Sequence, residues 1–238
     1  MKSWTRTLNL DDAHTLLALA ETGSTQLAWK QACHRALPGL SVARRRELIR
    51  LVRDGFLAWT EDARVANGVF QQIYNDAPAT AQMDLVDLQW ALSHPITLIA
   101  VEHLVAPIVN QEETEISLNT VETLVAEHLH TNSPESLRKT RTVLLGAMEG
   151  IGTLITRGTG QHRSLRASRG TPHPIAFGYL VMRELQERGA RGMMASEVPE
   201  SSLGVRLTQC GESHARYCLE WCLQAGLLHL HGDEIGVA

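Results

Sequence analysis

The sequence predicts a mainly α-helical protein: a helical bundle with helix-turn-helix or winged-helix-like modules and short β-hairpin wings. Three observations predict it. Leu and Ala recur at helical spacing, while alternating strand-like patterns are few and short. Hydrophobic residues make up 44% and charged residues 20% of the 238, enough for a buried core and unlike a disordered chain. Three segments with no sequence in common also repeat one order: helix-forming residues, polar turn, amphipathic helix, glycine, apolar run. Helix–turn–helix followed by a strand is the outline of a winged helix, although helical bundles with no nucleic-acid role share it.

The first segment closes on Leu51-Val-Arg-Asp-Gly55-Phe-Leu-Ala-Trp59. Ser41 is its expected N-cap. At 100° per residue Leu48, Ile49, Val52 and Phe56 share an apolar side, with Arg46, Arg50 and Arg53 opposite and Arg44 and Arg45 near the start. Residues 61–111 read as two or three packed helices with Val65, Phe70, Leu85, Leu88, Trp90 and Ile96–Val109 as core, punctuated by Pro78, Pro95 and Pro107. The acidic stretch Gln111-Glu-Glu-Thr-Glu115 is the best boundary, and 157–174, rich in Gly, Arg, Ser and Pro, is a second.

The second segment opens at Ser133-Pro134, with Ser as N-cap and Pro in the first turn. Leu137, Leu144, Ala147, Met148 and Ile151 form its apolar side; Arg138, Lys139 and Thr142 lie opposite, with Arg141 at the margin. A strand, a Gly158-Thr-Gly160 tip and a return strand with Arg163 and Arg166 should follow. The third segment puts a helix over 211–225 and a hairpin over 228–235 turning at Gly232-Asp233. Gly55, Gly150 or Gly152, and Gly226 are expected as C-caps. The predicted domains are an N-terminal helical domain over 1–112 with a helix-turn-helix-like element, a winged-helix-like domain over 113–172, and a C-terminal winged-helix-like module over 173–238.

Twenty-two basic and 26 acidic residues give a net charge of −4, which excludes a histone-like protein but not one that binds nucleic acid locally. Arg outnumbers Lys, 19 to 3. Residues 30–53 hold seven cations against Glu47, and 138–169 hold seven against Glu149, so each is net +6 and the other 182 residues carry −16. Guanidinium groups on an exposed helix suit phosphate oxygens; a solvated charged face is the plainer alternative. The candidate DNA-binding residues are therefore Arg44, Arg45, Arg46, Arg50, Arg53, Arg138, Lys139, Arg141, Thr142, Arg157, Arg163, Arg166 and Arg169. No Asn or Gln pairs with Arg on the second helix, so DNA binding with little sequence specificity is expected. The third helix sets Arg216 against Glu212 and Glu220; it should pack within the chain or on a protein partner.

His214, Cys218 and Cys222 at i, i+4 and i+8 lie among Tyr217, Leu219 and Trp221, as on a buried helix face, rather than in a zinc knuckle. His128-Leu-His130 reads as a helix end. No phosphate-binding glycine loop, nucleophile elbow or zinc-protease motif is present, so neither an enzyme nor a cofactor is expected. The first ten residues lack an apolar run, 88–101 is too short to span a bilayer, and the four cysteines read as reduced. A cytoplasmic protein without membrane attachment is the expectation.

Residues 21–57, with Trp29 ahead of the 41–53 basic helix, and 84–154, with Ser133-Pro-Glu-Ser-Leu137-Arg-Lys-Thr-Arg141 running into Gly150-Ile-Gly-Thr-Leu154, resemble one family. The pattern is similar to that of the BrxA-type small proteins of bacteriophage exclusion (BREX) defence systems. The likeness extends loosely to 174–185 and to Gly226-Leu-Leu, as an order of helices and turns rather than a motif. It implies a helical, non-enzymatic protein that binds double-stranded DNA and works with other components of a multi-protein defence system. A transcription regulator built from the same modules, or a helical adaptor whose arginines meet acidic proteins, are the alternatives.

Overall fold

The computed structural model describes residues 8, 10–111, 114–129, 133–158, 164–189 and 192–237. It is mainly helical with two small antiparallel three-stranded sheets. Among the described residues no helix is long and apolar enough to cross a membrane. The chain divides into two units, one of Leu8–Ser93 and one containing His94–Ala238.

In the first unit, α1 (Leu10–Leu17), α2 (Gln26–Ala36) and α3 (Val42–Gly55) precede α4 (Val69–Asp76) and α5 (Ala79–Leu92). Thr25 caps α2 by accepting from the Ala28 amide at 3.2 Å, and Ser41 caps α3 by accepting from Arg44 N at 3.2 Å. The predicted apolar side of α3 is buried: Leu48, Ile49, Val52 and Phe56 are all at most 5% exposed. Phe56 stacks on Trp90 and meets Phe70 edge-on, while Trp29 meets Trp59 edge-on and donates its indole N–H to the Leu16 carbonyl at 3.1 Å. The run after Gly55 yields no full strand, only bridges from Trp59 to Val65 and from Thr25 to Arg64.

Burial, followed by the neighbouring Asp84 carboxylate, pushes the Asp87 carboxyl on α5 up to about 6. The folded state then holds this proton more tightly than the unfolded chain, whose ordinary value is 3.8. Stability from this group is complete below about pH 4 and is lost as pH rises through about 6. Asp87→Asn should therefore remove the fall in Tm that this group imposes between about pH 4 and 7; an unchanged profile of Tm against pH would place the titration elsewhere.

The second unit begins with α6 (Ile96–Ala100), which continues into a π-helical turn, Val101–Val105. The stretch 96–105, expected with the N-terminal helices, packs on the helices that follow because Ile96, Ala100, Val101 and Val105 bury their side chains there. Next come β1 (Glu115–Ile116), α7 (Leu118–Leu129), α8 (Pro134–Gly150), β2 (Leu154–Arg157) and β3 (Ser164–Ala167). β3 lies between β1 and β2, both antiparallel to it. Then follow α9 (Pro174–Arg188), β4 (Met193–Met194), α10 (Val198–Ser201), α11 (Leu203–Thr208), α12 (Glu212–Gln224), β5 (Leu228–His231) and β6 (Glu234–Val237). β6 lies between β4 and β5. The hairpin turns at Gly232-Asp233 as predicted, with Gly232 at φ +63.

One arrangement thus recurs three times. A strand position just ahead of a helical segment (a pair of helices in the first two cases, α10 to α12 in the third) is bonded to the second arm of the hairpin that follows it: Thr25 to Arg64, β1 to β3, and β4 to β6. Of the expected C-cap glycines, Gly152 and Gly226 take positive φ, +75 and +71. Gly55 and Gly150 do not, since α3 and α8 run through them as regular helix.

Buried Glu184 on α9 ties this unit together. Its Oε2 accepts from the Leu203 amide at 2.5 Å, at the start of α11, and its Oε1 from Arg188 at 2.9 Å. Arg206 of α11 lies 3.7 Å from the same carboxylate and donates to Glu102 of the π-helical turn at 3.2 Å.

Candidate nucleic-acid interface

In the first unit the cationic surface is built on α3. The buried row Leu48, Ile49, Val52 and Phe56 fixes the helix's rotation, leaving Arg46 exposed and Arg50 half-buried on the opposite side. Neither has a hydrogen bond or ion pair with any described residue. The neighbouring arginines are committed. Arg44 is paired with Glu47 at 3.1 Å, and Arg53 donates its Nε–H to Asp54 at 2.6 Å, a bond that raises its affinity for its own proton. Arg45 folds inward, donating to the His34 carbonyl at 3.0 Å.

In the second unit, Ser133 stands at the N-cap of α8 and Pro134 in its first turn. Val143, Leu144, Ala147 and Met148 are buried, with Arg138, Lys139 and Thr142 on the exposed side and Arg141 half-buried. Lys139 is paired with Glu135, whose carboxyl is held below its ordinary range by Lys139 and, secondarily, Arg138. Arg141 reaches back to Glu122 on α7. Thr142 donates its hydroxyl to the Arg138 carbonyl at 2.9 Å.

On the β2–β3 hairpin, Arg157 is exposed with no ion pair among the described residues. Arg166 donates to Thr114 Oγ1 at 2.6 Å, and Arg169 donates to Asn110. Arg163 and the tip residues 159–163 lie outside the described residues. The cationic surface on view therefore consists of Arg46 and Arg50 in one unit and Arg138 and Arg157 in the other. Arg35, exposed on α2 and without an ion pair among the described residues, adds a guanidinium that the candidate set omits.

The third repeat has a different surface. Arg216 is clamped by Glu212 through two donors, at 3.0 and 2.6 Å, with Glu220 and Glu200 also in electrostatic reach, and Tyr217 stands exposed beside it. Cys218 and Cys222 are on the buried side of α12, as expected, directed at the Pro172 and Pro174 carbonyls at 3.8 and 3.2 Å. Burial pushes both thiols up to about 12, which makes them poor nucleophiles at neutral pH. His128 accordingly sits in the last turn of α7 against the Leu124 carbonyl, and His130 lies outside the described residues.

An exposed guanidinium with no carboxylate partner can offer its fork of N–H donors to a phosphate without first breaking an internal bond. No protein-family model matches the chain, and no curated protein matches it.

Proposed function

We propose that the chain is a non-enzymatic, double-stranded-DNA-binding accessory protein of a BREX-type anti-phage defence system. It grips the phosphate backbone through Arg46 and Arg50 on α3 and through Arg138 and Arg157 around α8 and its hairpin. The observation that carries this is the partnerless state of Arg46 and Arg50 among the described residues, on a helix whose rotation the core fixes. Helices followed by a three-stranded sheet in the two later modules, and a helix pair followed by isolated bridges in the first, support a winged-helix reading, in which the helix just before the hairpin meets the duplex. The acidic face of α12 repels phosphate and is left for other components of the defence system.

The test is a salt-titrated mobility shift with an unrelated duplex of about 30 base pairs. Binding should fall steeply with salt, with a log–log slope of about −0.9 per neutralised phosphate. Arg46→Glu with Arg50→Glu should weaken binding on the order of a hundredfold at about 50 mM salt, alike on unrelated sequences. Absence of any duplex binding by the unaltered chain at that salt rejects the reading. The defence assignment rests on the resemblance of 21–57 and 84–154, and a gene neighbourhood without a methyltransferase and an ATPase would remove it.

A further inference from the structure

We propose that α3 also reads base edges in the major groove: on a matching sequence Val42 lies against the C5-methyl group of a thymine and Arg46 leaves the phosphate it holds on unrelated duplexes for the N7/O6 edge of a guanine. This rests on the duplex-binding reading above and adds sequence preference to it.

Val42, Arg46 and Arg50 stand at i, i+4 and i+8, one continuous row along α3. Val42 is 53% exposed although it is β-branched and apolar, and it heads a row whose other members are cations. It is also the first residue of the second helix in its pair, the end that meets base edges when such a helix enters the major groove. The row is about 12 Å long at 1.5 Å per residue, about the width of that groove. In the groove only thymine offers a methyl group, and guanine offers the two acceptors that match a guanidinium fork.

The corresponding helices offer less: on α8 Arg138, in the place that Arg46 has on α3, stands within electrostatic reach of Glu135. On α8 the Thr142 hydroxyl is bonded to its own helix backbone, and Glu135 stands in the first turn. On α12 Arg216 is held by Glu212. Val42 and Arg46 are one turn apart, about 6 Å, so their two bases should lie within about two base-pair steps.

The experiment selects from a randomised duplex pool with the full chain at about 100 mM salt. The expected result is enrichment of a short motif with thymine and guanine that close together. Within it, uracil in place of that thymine should lower affinity about fourfold, the size expected for one buried methyl group. Val42→Ala should cost the same, and the two changes together no more than either alone. Arg46→Ala should erase the guanine preference, about tenfold. Duplex binding without enrichment overturns this inference and leaves the backbone-binding function standing; no duplex binding at about 50 mM salt overturns both. A thymine preference that survives Val42→Ala, or self-association that Val42→Asp abolishes while base preference is unchanged, also overturns it.

Discussion

Glu184→Ala should lower stability by about 3–5 kcal/mol, a drop of roughly 10 °C in the thermal transition of the second unit. The carboxylate is 6% exposed and does two jobs. It accepts the Leu203 amide at 2.5 Å, one of the N–H groups that no turn of α11 can satisfy, and it neutralises Arg188 at 2.9 Å with Arg206 at 3.7 Å. Truncation leaves a buried amide without an acceptor and Arg188 without its counter-charge, while Arg206 keeps Glu102 at 3.2 Å. Glu184→Gln keeps an acceptor for the amide and loses only the charge, so it should fall between. Thermal unfolding followed by circular dichroism ranks the three proteins; a loss below about 1 kcal/mol for the alanine variant would mean that α11 is held by its apolar contacts instead.

Gly170→Ala should cost about 3 kcal/mol or more. A β-carbon there would stand 2.4 Å from the Ile151 carbonyl oxygen, 3.0 Å from the Thr208 carbonyl oxygen and 3.2 Å from Thr208 Cβ. The obstacles are mostly backbone, and Gly170 itself donates to Thr208 at 2.8 Å, so no side chain can swing away to make room. Gly146, inside α8, has open space where a β-carbon would go, and Gly146→Ala should add about 0.5–1 kcal/mol through helix propensity. Opposite signs for the two alanines, read by urea unfolding, are the expected outcome. A neutral Gly170→Ala would show that the strands and helices around it yield.

The local rules were legible along the chain. Ser41 caps α3, Pro134 opens α8, Gly232-Asp233 turns the last hairpin, and the apolar rows of α3 and α8 point inward, because each depends on residues within one or two helical turns. Which cations are available was not legible, since their partners come from elsewhere. Glu122 is 19 residues from Arg141, Thr114 is 52 from Arg166, and Asn110 is 59 from Arg169. Asp54 lies one residue beyond the basic stretch and takes Arg53. Glu184 reads as a surface charge mid-helix, and nothing in the sequence around it announces that Leu203 will arrive on it. Val42 is apolar and would pass for a core residue at a helix start; its importance depends on exposure, which only the packed core decides.

The pairs Lys139–Glu135 and Arg141–Glu122 also bear on how much disorder binding can release. Attachment to a polyanion is driven largely by condensed small ions escaping into bulk solution. A cation that already holds a carboxylate of its own chain carries a counterion on a covalent leash. When a phosphate replaces that carboxylate, nothing new diffuses away, and the displaced negative charge stays close by. In the proposed duplex complex Lys139 and Arg141 would therefore contribute contact without the entropic return, leaving the driving force of attachment to the guanidinium groups that hold no carboxylate.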